Sequence, residues 1–370
     1  MTVTEDFNFE TAVKDALHAL HEALRERGHV NILVAGRTGV GKSTLINSVF
    51  QGNFATTGQG RPVTQNTREI KKEGIPLSIF DTRGLEMADF SETLDALKSL
   101  INQRSRNTDS NQHIHVAWIC ISEDSRRVEP AEEELVKMLA DRNIPVIAVI
   151  TKARSDQGFR TEVLQILPLV SNAVRVRAIE EKLDGGTVLD PMGLEDLVDL
   201  TMQVVPKGLK SAFTAAQKVD IELKKTKSHA IVARAALSAA GIAAVPIPFP
   251  DAVGIVPIQV GMLASISATF GLSIDKSFLS TIVGSIITGA GGTLAGRSIV
   301  SSLLKMIPGA GSVVGGTIAA ATAAALTTAF GEAYIAALNM LFVQNNGEPP
   351  TSEEVAEAFK AKYLQLAGGR

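Results

Sequence analysis

The run Gly36-Arg37-Thr38-Gly39-Val40-Gly41-Lys42-Ser43 constrains this chain more than any other stretch. It fits the spacing G-x-x-x-x-G-K-[ST] and sits between two readable elements. Before it, Val30-Asn31-Ile32-Leu33-Val34-Ala35 reads as a buried strand; after it, Thr44-Leu45-Ile46-Asn47-Ser48-Val49-Phe50 has helical periodicity. Glycines at these positions let the main chain wrap an anion, so that successive N–H groups and the helix N-terminus point at a phosphate. Lys42 can then reach the β- and γ-oxygens, and the Ser43 hydroxyl can ligate Mg²⁺. The alternative is a glycine-rich strand-to-helix turn with no ligand. Lys-Ser in this position favours a nucleoside triphosphate site, with Thr44 completing the cradle.

Composition bounds the rest. The chain has 370 residues, enough for about two domains, and a net charge of -3, which gives no general attraction to nucleic acid or anionic lipid. No nucleic-acid partner is expected. The single cysteine, Cys120, excludes an intrachain disulfide and reads as a buried structural thiol in a reducing compartment. The acidic opening lacks the basic-then-apolar pattern of a secretory signal, so the phosphate-binding half is expected in the cytoplasm. Between Ala230 and Asn346 only Arg234, Asp251, Asp275, Lys276, Arg297, Lys305 and Glu332 are charged, whereas the first half is densely charged. That shift predicts two parts, divided near Val205-Pro206-Lys207-Gly208.

Around the glycine-rich turn the pattern alternates. Residues 7–27 read as an amphipathic helix entering the first strand. Residues 51–67 read as a long polar loop, of the kind that usually carries function. Near its end, Thr67, with Thr64 as the second candidate, could reach Mg²⁺ and the γ-phosphate; an ordinary loop threonine is the alternative for each. A strand over 75–80 ends in Asp81-Thr82-Arg83-Gly84, where Asp81 could hold Mg²⁺ and the Gly84 N–H could sense the γ-phosphate. Strands over 115–122, 145–150 and 173–177 then alternate with helices over 131–139, 161–167 and 194–204. This predicts an α/β domain: a mostly parallel six-stranded sheet with helices on both faces and the ligand at the strands' carboxyl ends.

In order and spacing, Gly36–Ser43, Thr67, Asp81–Gly84 and Thr151-Lys152 resemble the G1 to G4 motifs of translation-factor-class small GTPases. The segment 38–47 is most similar to the Era-related, septin-like and immunity-related (dynamin-like) members, and the resemblance covers about residues 28–205. It implies GTP and GDP as ligands, Mg²⁺ held by Ser43, Thr67 and Asp81, and catalysis through Lys42, Thr67 and Gly84. Thr151 and Lys152 would contact the base, with the Ala178 N–H on the base carbonyl.

Three departures matter. The fourth motif ends in an acidic residue in that superfamily; here Arg154 follows Thr151-Lys152-Ala153, and Asp156 is the nearest replacement. Leaving guanine donors without an acceptor costs about 1–3 kcal/mol, so guanine preference is weakened. Leu85 occupies the place of a water-orienting glutamine, which predicts slow intrinsic hydrolysis. Gly39 stands where potassium-activated members carry asparagine, which leaves pairing of two G domains as the activating route. Arg126-Arg127 could serve such a partner as a charge clamp, a solvated loop being the alternative; His113 and His115 read as structural.

A connecting helix is expected over 209–227. Beyond it, uncharged runs of 23, 20 and 26 residues (252–274, 277–296, 306–331) each exceed the length that suggests a membrane span. Gly292/Gly296 and Gly311/Gly315 have the spacing that lets helices approach closely. Against insertion, these runs are poor in Leu and Phe, and Leu326, Phe330, Tyr334, Leu338 and Phe342 form one stripe, as on a helix packed against protein. Pro246-Ile247-Pro248-Phe249-Pro250-Asp251 followed by Ala/Gly-rich helices resembles the YcjF-like C-terminal family found behind bacterial GTP-binding domains, which implies membrane association. Thr351-Ser352-Glu353-Glu354 opens a last amphipathic helix with a capping box. The expected organisation is an amphipathic helix (1–28), a P-loop G domain (29–205), a connecting helix (206–228), an all-α apolar domain (229–346) and a terminal helix (347–370). The function expected is a slow GTPase, activated by G-domain homodimerisation, that switches a membrane-associating domain. The alternatives are a non-hydrolysing nucleotide-gated scaffold and a P-loop ATPase.

Overall fold

The computed structural model describes residues 18, 27–52, 61–62, 64, 67–72, 74–82, 90–243, 252–272 and 316–368. The chain divides into a nucleotide-fold unit, Arg27–Asp220, and a helical unit that includes Ile221–Arg370.

In the first unit the elements run β1 (Val30–Ala35), α1 (Lys42–Val49), β2 (Arg61–Pro62), β3 (Thr67–Lys71), β4 (Leu77–Thr82), α2 (Phe90–Ser105) and β5 (Val116–Ser122). Then come α3 (Pro130–Ala140), β6 (Val146–Thr151), α4 (Phe159–Ile166), β7 (Asn172–Arg175), a hairpin of β8 (Glu181–Lys182) and β9 (Val188–Leu189), α5 (Leu194–Val204) and α6 (Lys210–Ala216). The sheet order is β2-β3-β4-β1-β5-β6-β7. All neighbours are parallel except β2/β3 and β3/β4. The fold is that of a P-loop GTPase domain, followed by a helical region. The two-residue β2 adds a seventh strand to the six expected, because the loop before Thr67 doubles back on β3.

Every residue of β1 and β6 is buried, which explains their nearly continuous apolar runs: a parallel strand covered on both faces has no polar side, and Asn31 is buried with its amide bonded to the Asn111 and His113 carbonyls. On one face Val30, Ile32, Val34, Trp118 and Cys120 pack with side chains of α1, α5 and α6. On the other, Leu33, Ala35, Phe80 and Ile119 pack with α2, α3 and α4. Trp118 stacks on Phe50 at 5.5 Å and donates its indole N–H to Thr201 Oγ1 at 3.1 Å, so the largest core side chain is satisfied at its polar end.

The expected helix over 209–227 is broken in two. Phe213 and Ala216 are buried in the nucleotide unit's core, Gln217 bridges to Phe50, and the Lys218 N–H donates to Val49 O at 2.8 Å. A new helix, α7 (Ile221–Ala243), starts only after this return. The divide therefore falls after Asp220, not near Pro206. The periodic apolar residues of 209–216 are core residues of the first unit, which sequence periodicity alone cannot assign.

In the second unit α7, α8 (Ala252–Phe270), α9 (Gly316–Gln344) and α10 (Ser352–Gly368) surround a core containing Val232, Met262, Ile266, Phe270, Phe330, Tyr334, Leu338, Phe342 and Phe359. The predicted stripe on α9 thus packs against protein, except that Leu326 is half-buried. Tyr334 Oη and Ser267 Oγ lie 2.6 Å apart in hydrogen-bond contact. Gly331 lets α9 pass close to its neighbours: a Cβ there would lie 2.5 Å from Val232 Cγ2. Lys224, fully buried, donates to the Phe270 carbonyl at 2.9 Å. The Thr351/Glu354 capping box forms as expected. Among the described residues one stretch, Ala323–Gln344, is long and apolar enough to cross a membrane, and 56% of it is buried inside the protein. The Pro-rich segment 246–251, the run 277–296, the two glycine pairs and nearly all of the N-terminal amphipathic helix lie outside the described residues.

Candidate functional site

The carboxyl ends of the parallel strands β4, β1, β5 and β6 lie side by side, and the glycine-rich loop passes from β1 over β5. A Cβ on Gly36 (φ +148) would lie 2.4 Å from the Cys120 carbonyl, so only glycine lets the loop pass over β5. Val40 is buried and anchors the loop, while Thr38, Gly39, Ser43 and Thr44 are exposed. Gly41 takes φ 96, ψ 18 as the residue before α1, a left-handed turn that lets the helix start toward the loop's centre. The Lys42 ammonium folds back, donating to Gly36 O at 2.7 Å and Arg37 O at 3.0 Å. Arg37 turns outward to Glu129 at 2.9 Å, a carboxylate that also takes Arg127 at 2.7 Å. Arg127 is thus committed within its own domain.

Asp81 lies in register with Val34, two residues before Gly36, beside the loop. Thr67 opens β3 opposite Thr82, and Arg68 pairs with Asp81 in the ladder. Thr67 is 1% exposed, and its hydroxyl has no hydrogen-bond partner among the described residues. The same holds for the Thr64 hydroxyl, whose residue's N–H donates to Thr67 O at 3.2 Å. Buried hydroxyls are normally satisfied, and hydroxyl and carboxylate oxygens are the donor chemistry a hard divalent cation takes. Ser43, Thr67 and Asp81 suit Mg²⁺ by donor chemistry, although in the ladder Thr67 shares the face of Thr82 and Asp81 that of Arg68. Gly84 and Leu85 lie outside the described residues.

On the other side of the loop, Thr151 ends β6 opposite Ser122. Its hydroxyl donates to Val40 O at 2.6 Å, with Ile121 O at 3.2 Å. The fourth motif thus latches the first. Past Thr151 opens a cavity of about 360 Å³, walled by Gly41, Thr44 and Leu45 on one side and by Thr151, Lys152, Arg154, Val176 and Ala178 on another. Its place, between the start of α1 and the end of β6, is where a base would extend from phosphates on the loop. Ala178 is part of its wall.

Asp156 does not line this cavity, contrary to the sequence expectation. Its carboxylate accepts the Arg160 N–H at 2.9 Å at the start of α4 and faces Arg175 at 3.6 Å. The chain turns sharply just after it, with Gln157 and Gly158 both at positive φ, and brings the start of α4 back onto the Asp156 carboxylate. Arg126 is also spent internally: it donates to the Ser155 and Asp156 carbonyls, so it stabilises this loop and is no open clamp.

Glu123 carries no mark in the sequence that points to a role here. Only 2% exposed, it accepts the N–H of Arg154 and of Ser155 (3.1 Å for the latter) and pairs with Arg175 at 2.7 Å. Three charge-assisted contacts hold the loop after Lys152 in one shape. Arg154 itself forks onto Glu181 and faces Asp124 at 3.6 Å. The hydrogen bond with Glu181 raises the Arg154 pKa and lowers that of Glu181, so both are charged near neutrality.

Elsewhere the site is insulated. Burial pushes the Cys120 thiol up to about 12, which makes it inert as a nucleophile. Burial raises Glu132, near Arg37 and Glu129, to about 7. His115 accepts the Asn31 N–H at Nδ1 (2.9 Å), which fixes its Nε2–H as donor to Ser110 O at 2.8 Å. Burial lowers its pKa, so it is a neutral, structural histidine at the sheet's amino end, as the sequence suggested. No group of three or more metal-binding side chains of the His/Cys/Asp/Glu kind occurs among the described residues.

Residues 31–152 match the model of a family described as 50S ribosome-binding GTPase, and residues 210–362 match one described as a domain of unknown function, DUF697. The chain is similar to the tRNA modification GTPase MnmE of Malacoplasma penetrans, 24% identical over 153 residues, 39% of this chain and 32% of that protein. It is also similar to Magnetosome membrane protein 22 of Magnetospirillum gryphiswaldense, 30% identical over 129 residues, 35% of this chain and 63% of the relative. A solved structure of a probable GTP-binding protein engB aligns with 47% of this chain and 98% of its own at 21% identity and a TM-score of 0.34. The chain spans about a third of the MnmE relative's length. The resemblances to dynamin-like proteins and to the YcjF-like family find no counterpart among these matches.

Proposed function

We propose that the first unit binds GTP and GDP with Mg²⁺ and hydrolyses GTP slowly, and that its nucleotide state governs the helical unit. The observation that carries this is the convergence of Lys42, Asp81 and Thr151 on one loop, with a base-sized cavity beside it. Bound Mg²⁺ would neutralise charge on the β- and γ-phosphates. Ser43 and Thr67 would supply hydroxyl oxygens to it and Asp81 a carboxylate, through water or directly. The loop's N–H groups and the start of α1 would grip the phosphates, and Lys42 would leave the Gly36 and Arg37 carbonyls for the phosphoryl oxygens. The Gly84 N–H would report the γ-phosphate. Leu85 cannot polarise water, so pairing of two G domains would supply what this chain lacks. A hydrolysis rate per molecule that rises steeply with protein concentration supports that pairing; a flat, near-zero rate supports a nucleotide-gated scaffold.

Membrane association of the helical unit is the second part of the proposal, supported by the uncharged runs and by the similarity to Magnetosome membrane protein 22. Co-sedimentation of the full chain with liposomes, with GTP and with GDP, tests it. A chain that stays in the supernatant in both states removes the membrane from the account. A truncated control should end at Asp220, since an earlier cut removes Phe213 from the first unit's core.

A further inference from the structure

The fourth motif carries a cation, Arg154, where a base-reading carboxylate is expected, and Asp156 is committed to α4. The cavity nevertheless offers other carboxylates, set among the cations Lys152, Arg154 and Arg177. Its lining includes Asp124, Glu180 and Glu181, and Arg154 lies among them. Glu123 clamps the Arg154 main chain, so the guanidinium leaves a fixed point and forks onto Glu181. Two contacts from Nε at 3.0 Å and one from the neighbouring nitrogen hold that carboxylate against the cavity wall. The fork touches both carboxylate oxygens, and of a carboxylate's about four acceptor positions the outward one on each oxygen stays open. Asp124 meets Arg154 only at 3.6 Å and is more exposed, 49% against 27% for Glu181. Glu181 is the better-held acceptor.

We propose that Glu181, positioned by Arg154, is the carboxylate that accepts the ring N1–H and the 2-amino group of a guanine base, so that base reading comes from the β8 strand. The inference rests on the nucleotide site proposed above. Arg154 is then a positioning residue: its charge aims Glu181 and keeps it ionised. Adenine presents an acceptor at N1 and no 2-amino group, so the same carboxylate repels it. Xanthine presents a 2-oxo group, which suits an amide donor instead.

The test is calorimetric titration of the full-length protein with GDP, ADP and XDP at fixed Mg²⁺, for the wild type, Glu181→Gln, Asp124→Asn and Arg154→Ala. Glu181→Gln should weaken GDP by roughly tenfold to a hundredfold, the worth of hydrogen bonds to a charged acceptor, and bind XDP more tightly than the wild type does. Arg154→Ala should weaken GDP less and leave XDP weak. A purely structural Glu181 cannot yield tighter XDP binding. Unchanged GDP affinity in Glu181→Gln overturns the assignment, as does a loss found only in Asp124→Asn, or wild-type affinity for ADP equal to that for GDP. A wild type that binds none of the three sinks the nucleotide site itself, and this inference with it.

Discussion

Replacing Thr151 by valine removes one hydroxyl and keeps the side chain's volume. The hydroxyl is 2.6 Å from the Val40 carbonyl, and Thr151 is 4% exposed, so water does not readily take its place. Losing a buried partner of this kind costs about 1–3 kcal/mol. That cost falls on the loop that is proposed to hold the phosphates. If the loop opens while the fold survives, the population competent to bind shrinks, and apparent affinity falls by the same factor, about tenfold for each 1.4 kcal/mol. Thr151→Val should therefore show either a matching loss in urea-denaturation stability or a GDP affinity roughly five- to a hundredfold weaker, the two together accounting for the lost bond. Thr151→Ser keeps the hydroxyl and should recover most of the effect. A valine variant with wild-type stability and wild-type affinity would refute the latch.

Three further outcomes follow from the same structure. Glu132, 2% exposed, has its pKa raised by burial from 4.5 to about 7, so the fold holds its proton more tightly than the unfolded chain does. Its contribution is fully present below pH 4.5 and lost as pH rises through about 7. Glu132→Gln, which keeps an acceptor for the Glu129 N–H, should raise denaturation stability at pH 8 by up to ~3 kcal/mol and change little at pH 4. His29 and His115 run the opposite way: burial lowers both, His29 to about 4, so stability present above pH 6.5 is lost as pH falls toward 4. His29→Gln should flatten that acid slope in pH-dependent urea titrations. Gly331→Ala forces a Cβ to within 2.5 Å of Val232 and 3.0 Å of Met262 and should destabilise the helical unit by about 1–3 kcal/mol in thermal melts.

Much of the first unit was legible because its strands are buried on both faces and punctuated by glycines with fixed jobs. The runs ending at Ala35, Ser122 and Thr151 read as strands because they are almost wholly apolar, Asn31 being the one polar residue inside them, and Gly36 marks a crossing too tight for a side chain. The 209–227 helix was misjudged because an apolar period shows that a face is buried, not which core buries it; Phe213 and Val232 look alike in sequence and belong to different cores. Glu123, Glu129 and Glu181 were invisible for a different reason. Each acts through a partner far along the chain, Glu123 through Arg175, Glu129 through Arg37 and Glu181 through Arg154, and a single sequence carries no mark of such pairs. Asp156 was chosen by proximity in sequence, and a turn of two residues at positive φ sent it elsewhere.

The central proposition is that main-chain amides of the 36–41 loop, with Lys42 beside them, hold the phosphates of a purine nucleotide. Isothermal titration of the full-length protein with GTP, GDP and ATP in millimolar Mg²⁺, set against a folded Lys42→Ala variant, measures it directly. One-site binding of the guanine nucleotides that disappears in the variant is the predicted result. No heat from the wild type with any nucleotide, or equal affinity in the variant, would contradict it.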